Sequence, residues 1–163
     1  MWIAISGTPG TGKSMIADML SKRLGWRVVH IGDFVKERGL YSGYDKKRKC
    51  WIVDVKRLEK EIRKIEDKNL IIEGHFSHLL PVDVVFILRA NPVILRKRLK
   101  RRGWPRAKIE ENVEAEIMEI CKIEAIESGK CVFEIDTKNK KPFQIINIIN
   151  KIVNEKVKIC SEV

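Results

Sequence analysis

The 163-residue chain has no C-x-x-C pair, no run of about 18 apolar residues, no internal repeat and no low-complexity linker. Each absence excludes something. The four cysteines, Cys50, Cys121, Cys131 and Cys160, form no zinc-site spacing with the histidines and read as reduced thiols of a cytosolic protein. Without a long apolar run nothing spans a membrane as a helix, so no membrane partner and a cytoplasmic location are expected. An apolar strand followed at once by a glycine-rich loop leaves no room for a removable signal peptide at the N-terminus. Glutamine occurs once, at Gln144, beside abundant Lys, Glu and Ile, a bias seen in heat-adapted proteins. A chain of this length without a linker reads as one domain, residues 1–163, large enough to bury a core.

What is present begins at residue 7. Gly7-Thr8-Pro9-Gly10-Thr11-Gly12-Lys13-Ser14 is a complete G-x-x-x-x-G-K-[ST] loop. An apolar run, Met1-Trp2-Ile3-Ala4-Ile5, suits a buried strand before it, and Met15/Ile16, Met19/Leu20 and Leu24 have helical spacing after it. Strand, loop and helix together are the context the motif requires. Glycines let backbone N–H groups turn inward as an anion nest, and the helix N-terminus adds unpaired N–H groups and the positive end of its dipole. Lys13 can reach terminal phosphates and the Ser14 hydroxyl can help hold Mg²⁺, so the loop predicts binding of a nucleoside triphosphate. The net charge of +11 also favours polyanionic partners, nucleotides or RNA, without choosing between them.

Further apolar runs predict strands over residues 26–30, 69–73, 82–88 and 131–135. Between them the pattern predicts helices over 33–38, from a cap at Asp54 to 64, from Pro92 to the Gly103-Trp104-Pro105 break, and over 142–157. Residues 106–128 read as one long helix, and the polar, basic stretch 41–49 reads as a loop. Alternating helices and continuously apolar strands predict an α/β three-layer domain with a five-stranded parallel sheet covered on both faces. Ligands then gather at the carboxyl ends of the strands.

Glu73 stands at such an end, where an acidic residue orients Mg²⁺ and its water, or is simply a solvated strand-end carboxylate. His75 follows two residues later and is either part of that site or structural. The segment from Arg96 to Lys108 holds eight basic residues and no acid. Arg98 and Arg102 are four apart and share a helical face, which suits either a solvated surface or a grip on phosphates carried by a flap. In a phosphate-binding domain such arginines supply the charge neutralisation that phosphoryl transfer requires.

Three stretches carry a resemblance: the loop at 7–14; Gly32-Asp33-Phe34-Val35-Lys36-Glu37 with Tyr41-Ser42-Gly43-Tyr44-Asp45; and Glu73-Gly74-His75 with Leu88-Arg89 and Arg98-Leu99-Lys100-Arg101-Arg102-Gly103-Trp104. Together they resemble the adenylate kinase isoenzyme 6 family, a nuclear and archaeal group, over about residues 2–155. The resemblance implies a fold like that of nucleoside monophosphate kinases. It implies an ATP:AMP phosphotransferase that also hydrolyses ATP and acts in maturation of the small ribosomal subunit. The implied partners are a platform ribosomal protein and adjacent rRNA. Implied ATP contacts fall on Gly10, Gly12, Lys13, Ser14, Met15 and Arg102; the catalytic set on Lys13, Arg98, Arg102 and His75; the Mg²⁺ positions on Ser14 and Glu73. The monophosphate segment falls on residues 29–52, with Asp33 and Lys36 lining the AMP pocket, and the lid on 101–111.

Some positions depart from the family pattern. Glu73 replaces a usual Asp and Met15 a usual Thr. Lys36 and Ser77 stand where ordinary adenylate kinases have AMP-binding arginines, and one ammonium does not reproduce a bidentate guanidinium. Three readings follow: a kinase for AMP, an ATP-hydrolysing assembly factor whose stretch Lys46-Lys47-Arg48-Lys49 meets RNA phosphates, or a kinase for another small acceptor.

Overall fold

The computed structural model describes the backbone of residues 1–161 and the side chains of residues 1–156; Cys160 lies outside the described side chains. Five strands form one parallel sheet: β1 (Trp2–Ser6), β2 (Arg27–His30), β5 (Leu70–Glu73), β6 (Val84–Arg89) and β7 (Cys131–Asp136), in the order β2-β5-β1-β6-β7. Seven α-helices are described: α1 (Lys13–Leu24), α2 (Ile31–Arg38), α3 (Val55–Ile62), α4 (Pro92–Arg101), α5 (Arg106–Ile117), α6 (Ile120–Glu127) and α7 (Pro142–Ser161). Among the described residues no helix is long and apolar enough to cross a membrane.

The strands are apolar throughout because both faces are covered. Ile3, Ile5, Ile71 and Phe86 pack toward Ile16 and Leu20 of α1 and Ile146 and Ile149 of α7. Ala4, Leu70, Ile72 and Val85 face the opposite way, toward Phe34, Leu58, Ile62 and Ala125. A third, smaller cluster joins Leu95 and Leu99 of α4 to Ile109 and Val113 of α5, with Trp104 against it. The helical arm over the sheet therefore has its own small core.

Local signals explain the helix ends. Gly25 takes a left-handed conformation after α1 and donates its N–H to the Ser21 carbonyl at 2.9 Å. The Asp54 carboxylate caps α3 by accepting from the Arg57 N–H at 3.0 Å. Asn91 caps α4 by accepting from the Val93 N–H at 2.9 Å, with Pro92 at the first helical position.

Two expectations are corrected. Residues 41–49 are not a plain loop: β3 (Tyr41–Asp45) and β4 (Cys50–Val53) pair as an antiparallel hairpin. Trp51 holds it together, with ring centroids 5.2 Å from both Tyr41 and Tyr44. Asp45 closes the turn, accepting from the Arg48 N–H at 2.9 Å. The helix expected over 106–128 is two helices, α5 and α6. Glu119 breaks them apart in a left-handed conformation at φ 57°. Arg89, at the end of β6, donates to Glu119 Oε1 at 2.6 Å and holds the break in place.

Candidate active site

The glycine loop runs from the end of β1 into α1, and its sharp path leaves no space for a side chain at Gly7 or Gly10. Gly7 has φ 134°, and a Cβ there would lie 2.4 Å from the Leu88 carbonyl oxygen. Gly10 has φ 94°, and a Cβ there would lie 2.8 Å from Leu95 Cδ1 on α4. The Thr8 carbonyl gathers three donors within the loop: the Thr11 N–H at 3.3 Å, Thr11 Oγ1 at 2.9 Å and Lys13 Nζ at 3.0 Å. Lys13 is only 7% exposed. Burial pushes its ammonium down to about 8, with the Glu73 carboxylate the chief influence in the other direction.

A cleft of about 510 Å³ opens over this loop. Gly12, Lys13, Ser14 and Met15 line one side, and Glu73, His75 and Arg102 also face it. Ser14 and Met15 are exposed at its mouth. Arg98 and Arg102 share a face of α4, yet they differ in use. Arg98 Nη1 donates to the Gly10 carbonyl at 2.9 Å, tying α4 to the loop. Arg102 is exposed and borders the cleft.

Glu73 is 7% exposed at the end of β5 and lies beside His30, its register partner on β2. His30 Nδ1 is 2.8 Å from Glu73 Oε2, and His30 Nε2 is 2.9 Å from Asp18 Oδ1. Carboxylate oxygens on both sides favour the ring that donates from both nitrogens, the imidazolium. Burial opposes that charge, but the bonds to Glu73 and Asp18 prevail and hold the His30 pKa above its ordinary value. His75 behaves oppositely: burial lowers its pKa, and Nδ1 lies 3.3 Å from the Gly7 carbonyl. Cys121 Sγ lies 3.7 Å from the same Nδ1; the contact to the carbonyl needs the proton on Nδ1, whereas the thiol can donate to an unprotonated one.

Asp33 lies outside the main cleft, in an adjoining groove of about 210 Å³ with Arg27, His30, Phe34 and Arg38. The His30–Glu73 hydrogen bond forms the seam between the two hollows. Lys36 is exposed on α2 and borders neither of them. Ser77 is buried and donates to the Ile5 and Gly74 carbonyls at 3.1 and 2.8 Å, which turns it away from any acceptor.

Among the described residues no three His, Cys, Asp or Glu side chains form a metal-binding group. The Ser14 hydroxyl and the Glu73 carboxylate are the oxygen donors at the cleft, a set that fits Mg²⁺ held chiefly by nucleotide phosphates.

Sequence reasoning missed two parts of this neighbourhood. His30 was hidden because the sheet order makes β2 and β5 neighbours although 39 residues of other structure intervene between Ile31 and Asn69. Its place at a strand end, as with Glu73, was the available signal. The second part is a buried ion pair behind the loop, between Glu116 of α5 and Arg89, with Nε to Oε1 at 2.8 Å. Its spacing in sequence carries no motif.

Comparison with known proteins follows the same lines. Residues 3–119 match the family model described as AAA domain. A protein of Pyrococcus abyssi named "Putative adenylate kinase" is 43% identical over 97% of this chain and 87% of its own length. A protein of Methanocaldococcus jannaschii with the same name is 43% identical over 94% of this chain and 84% of its own length. Among solved structures, deoxyadenosine kinase from M. mycoides is similar with a TM-score of 0.61 and 20% identity, covering 95% of this chain and 100% of that one. At that identity the likeness concerns the fold.

Proposed function

This chain belongs to the AAA domain family and to the archaeal adenylate kinase family that those relatives form, and on that premise we propose that it transfers the γ-phosphate of Mg·ATP to AMP. The observation that carries the reading is the single cleft joining the glycine loop, Glu73, His75 and Arg102, with a second groove across the His30–Glu73 seam. ATP lies over Gly10, Gly12, Lys13, Ser14 and Met15. Ser14 and Glu73 hold the cation of Mg·ATP directly or through water. AMP lies in the groove lined by Asp33, under residues 29–52, and Lys36, exposed on α2 outside that groove, reaches it only by a shift of its side chain. Residues 101–111 close over both as a lid within one catalytic domain, 1–163.

In the transfer an oxygen of the AMP phosphate attacks the γ-phosphorus. The bond from that phosphorus to the β–γ bridging oxygen breaks, and two ADP result. The protein contributes position and positive charge rather than covalent chemistry. Lys13 neutralises the terminal phosphates, Arg102 meets the transferring group, and Arg98 fixes the loop through Gly10. Closure excludes water.

A second reading, ATP hydrolysis, is favoured by His75, which lines the cleft with Glu73 and suits the orienting of a water there. Hydrolysis in cytoplasmic maturation of the small ribosomal subunit follows the family resemblance. The hairpin supports an RNA-bearing partner, because its turn carries Lys46, Lys47, Arg48 and Lys49 beside a Trp51 that is 59% exposed. Such a contact weakens steeply with salt.

The test is ADP production from Mg·ATP with and without AMP, using labelled AMP. The kinase reading expects label in ADP, and loses its support if AMP yields no labelled ADP. Both readings expect Lys13→Ala to cut turnover by about 10²–10³-fold. Near-normal turnover in that variant would overturn both.

A further inference from the structure

Glu116 is a carboxylate 2% exposed, behind the glycine loop rather than in the cleft. A buried carboxylate is tolerated only when paired and hydrogen-bonded. Glu116 Oε1 accepts from Arg89 Nε at 2.8 Å and from the Ala90 N–H at 3.0 Å. Those partners already balance its charge. Its other oxygen, Oε2, is used differently and accepts from Thr8 Oγ1 at 2.6 Å.

Thr8 is 1% exposed and bonded at both ends. Its hydroxyl reaches Glu116, while its carbonyl receives Lys13 Nζ at 3.0 Å and Thr11 Oγ1 at 2.9 Å. The orientation of one peptide unit therefore sets where the Lys13 ammonium rests, and Glu116 is the outside group that fixes that orientation. Glu116 rides on α5, whose Ile109 and Val113 pack on Leu95 and Leu99 of α4, the helix bearing Arg98 and Arg102. Arg96 and Glu110 add a bridge between the same helices at 2.7 Å. The α4–α5 arm thus touches the loop at two points, through Arg98 on the Gly10 carbonyl and through Glu116 on Thr8.

We propose that Glu116 is a positioning residue that acts through the Thr8 hydroxyl to set the phosphate loop for ATP, so that the arm carrying the lid and the grip on the phosphates are coupled. The inference rests on the reading of the loop as the ATP site. A purely structural Glu116 would need Arg89 and the Ala90 N–H but not Thr8.

The test is calorimetric binding of the Mg²⁺ complex of β,γ-imido-ATP to the wild type, Thr8→Val, Thr8→Ser, Glu116→Gln and the Thr8→Val/Glu116→Gln double variant. Thr8→Val removes the hydroxyl at nearly constant volume. Glu116→Gln leaves one acceptor oxygen where two are in use. Each single variant is expected to weaken binding about tenfold, and the double variant no more than either single one, because both break the same link. Thr8→Ser is expected to stay within about twofold of wild type. Multiplying effects in the double variant, or a folded Thr8→Val protein that binds as wild type does, would overturn the inference while leaving the ATP site standing. If Glu116→Gln fails to fold, the Thr8→Val and Thr8→Ser pair still decides. A wild type that does not bind the analogue would instead overturn the reading of the loop.

Discussion

Lys13 carries a cost that the fold retains. Its pKa is 10.5 in an open chain and about 8 in the folded protein, because burial strips water from the ammonium. Between those values the unfolded chain binds more protons than the folded one, so this residue makes stability rise with pH from about 8 to 10.5. Below pH 8 the whole penalty is present, on the order of 3 kcal/mol. Lys13→Met should therefore exceed wild type in stability by its widest margin near pH 7, and the margin should narrow toward pH 10. Denaturant titrations of both proteins at the two pH values check this, and a margin that does not change with pH would show that Lys13 is not desolvated. At this scale the sequence was legible where the site is contiguous. Lys13 and Ser14 follow from the glycine spacing, and Glu73 from its strand end. His30 and Glu116 were not legible, because Thr8 and Glu116 are 108 residues apart and only the folded sheet and the α5 turn bring each to its partner.

Among the elements, the β3–β4 hairpin and α5 meet through one cross-link. Arg48 Nε donates to Glu111 Oε2 at 2.8 Å, and Arg48 Nη1 also reaches Asp45 Oδ2 at 2.8 Å. Both partners of the cross-link are largely exposed, so it is weak and readily screened by salt. It joins the segment expected over the monophosphate to the arm expected over ATP. Glu111→Gln should raise the KM for AMP by roughly two- to fivefold with little change in kcat, and wild type in about 0.5 M salt should approach the variant. A variant indistinguishable from wild type at low salt would show that the two elements close independently. The hairpin itself escaped the sequence because its tip is polar and basic while its pairing rests on three aromatic rings at Tyr41, Tyr44 and Trp51. The α5–α6 break escaped for a related reason. Residues 106–128 contain no glycine or proline, and the partner of Glu119 at the kink, Arg89, comes from another element.

For the molecule as a whole, the parallel sheet and its two apolar layers followed directly from the continuous strands. The order β2-β5-β1-β6-β7 puts the first strand in the centre. Both neighbours of β1 arrive late: Ile3 pairs with Ile71 on one side and with Val84 on the other. Gly7 in turn is backed by the Leu88 carbonyl. A ribosome making this chain thus releases the phosphate loop before the two strands that flank β1. The loop lacks its backing at Gly7 until β6 has emerged, and contacts of such long sequence separation form slowly. A fragment ending at residue 80 should bind no Mg·ATP and be digested quickly by protease, although it contains every residue of the glycine motif. Nucleotide protection of that fragment would contradict this order of assembly. The centrality of β1 thus makes nucleotide binding a late checkpoint in the birth of the protein, passed only once most of the sheet is in place.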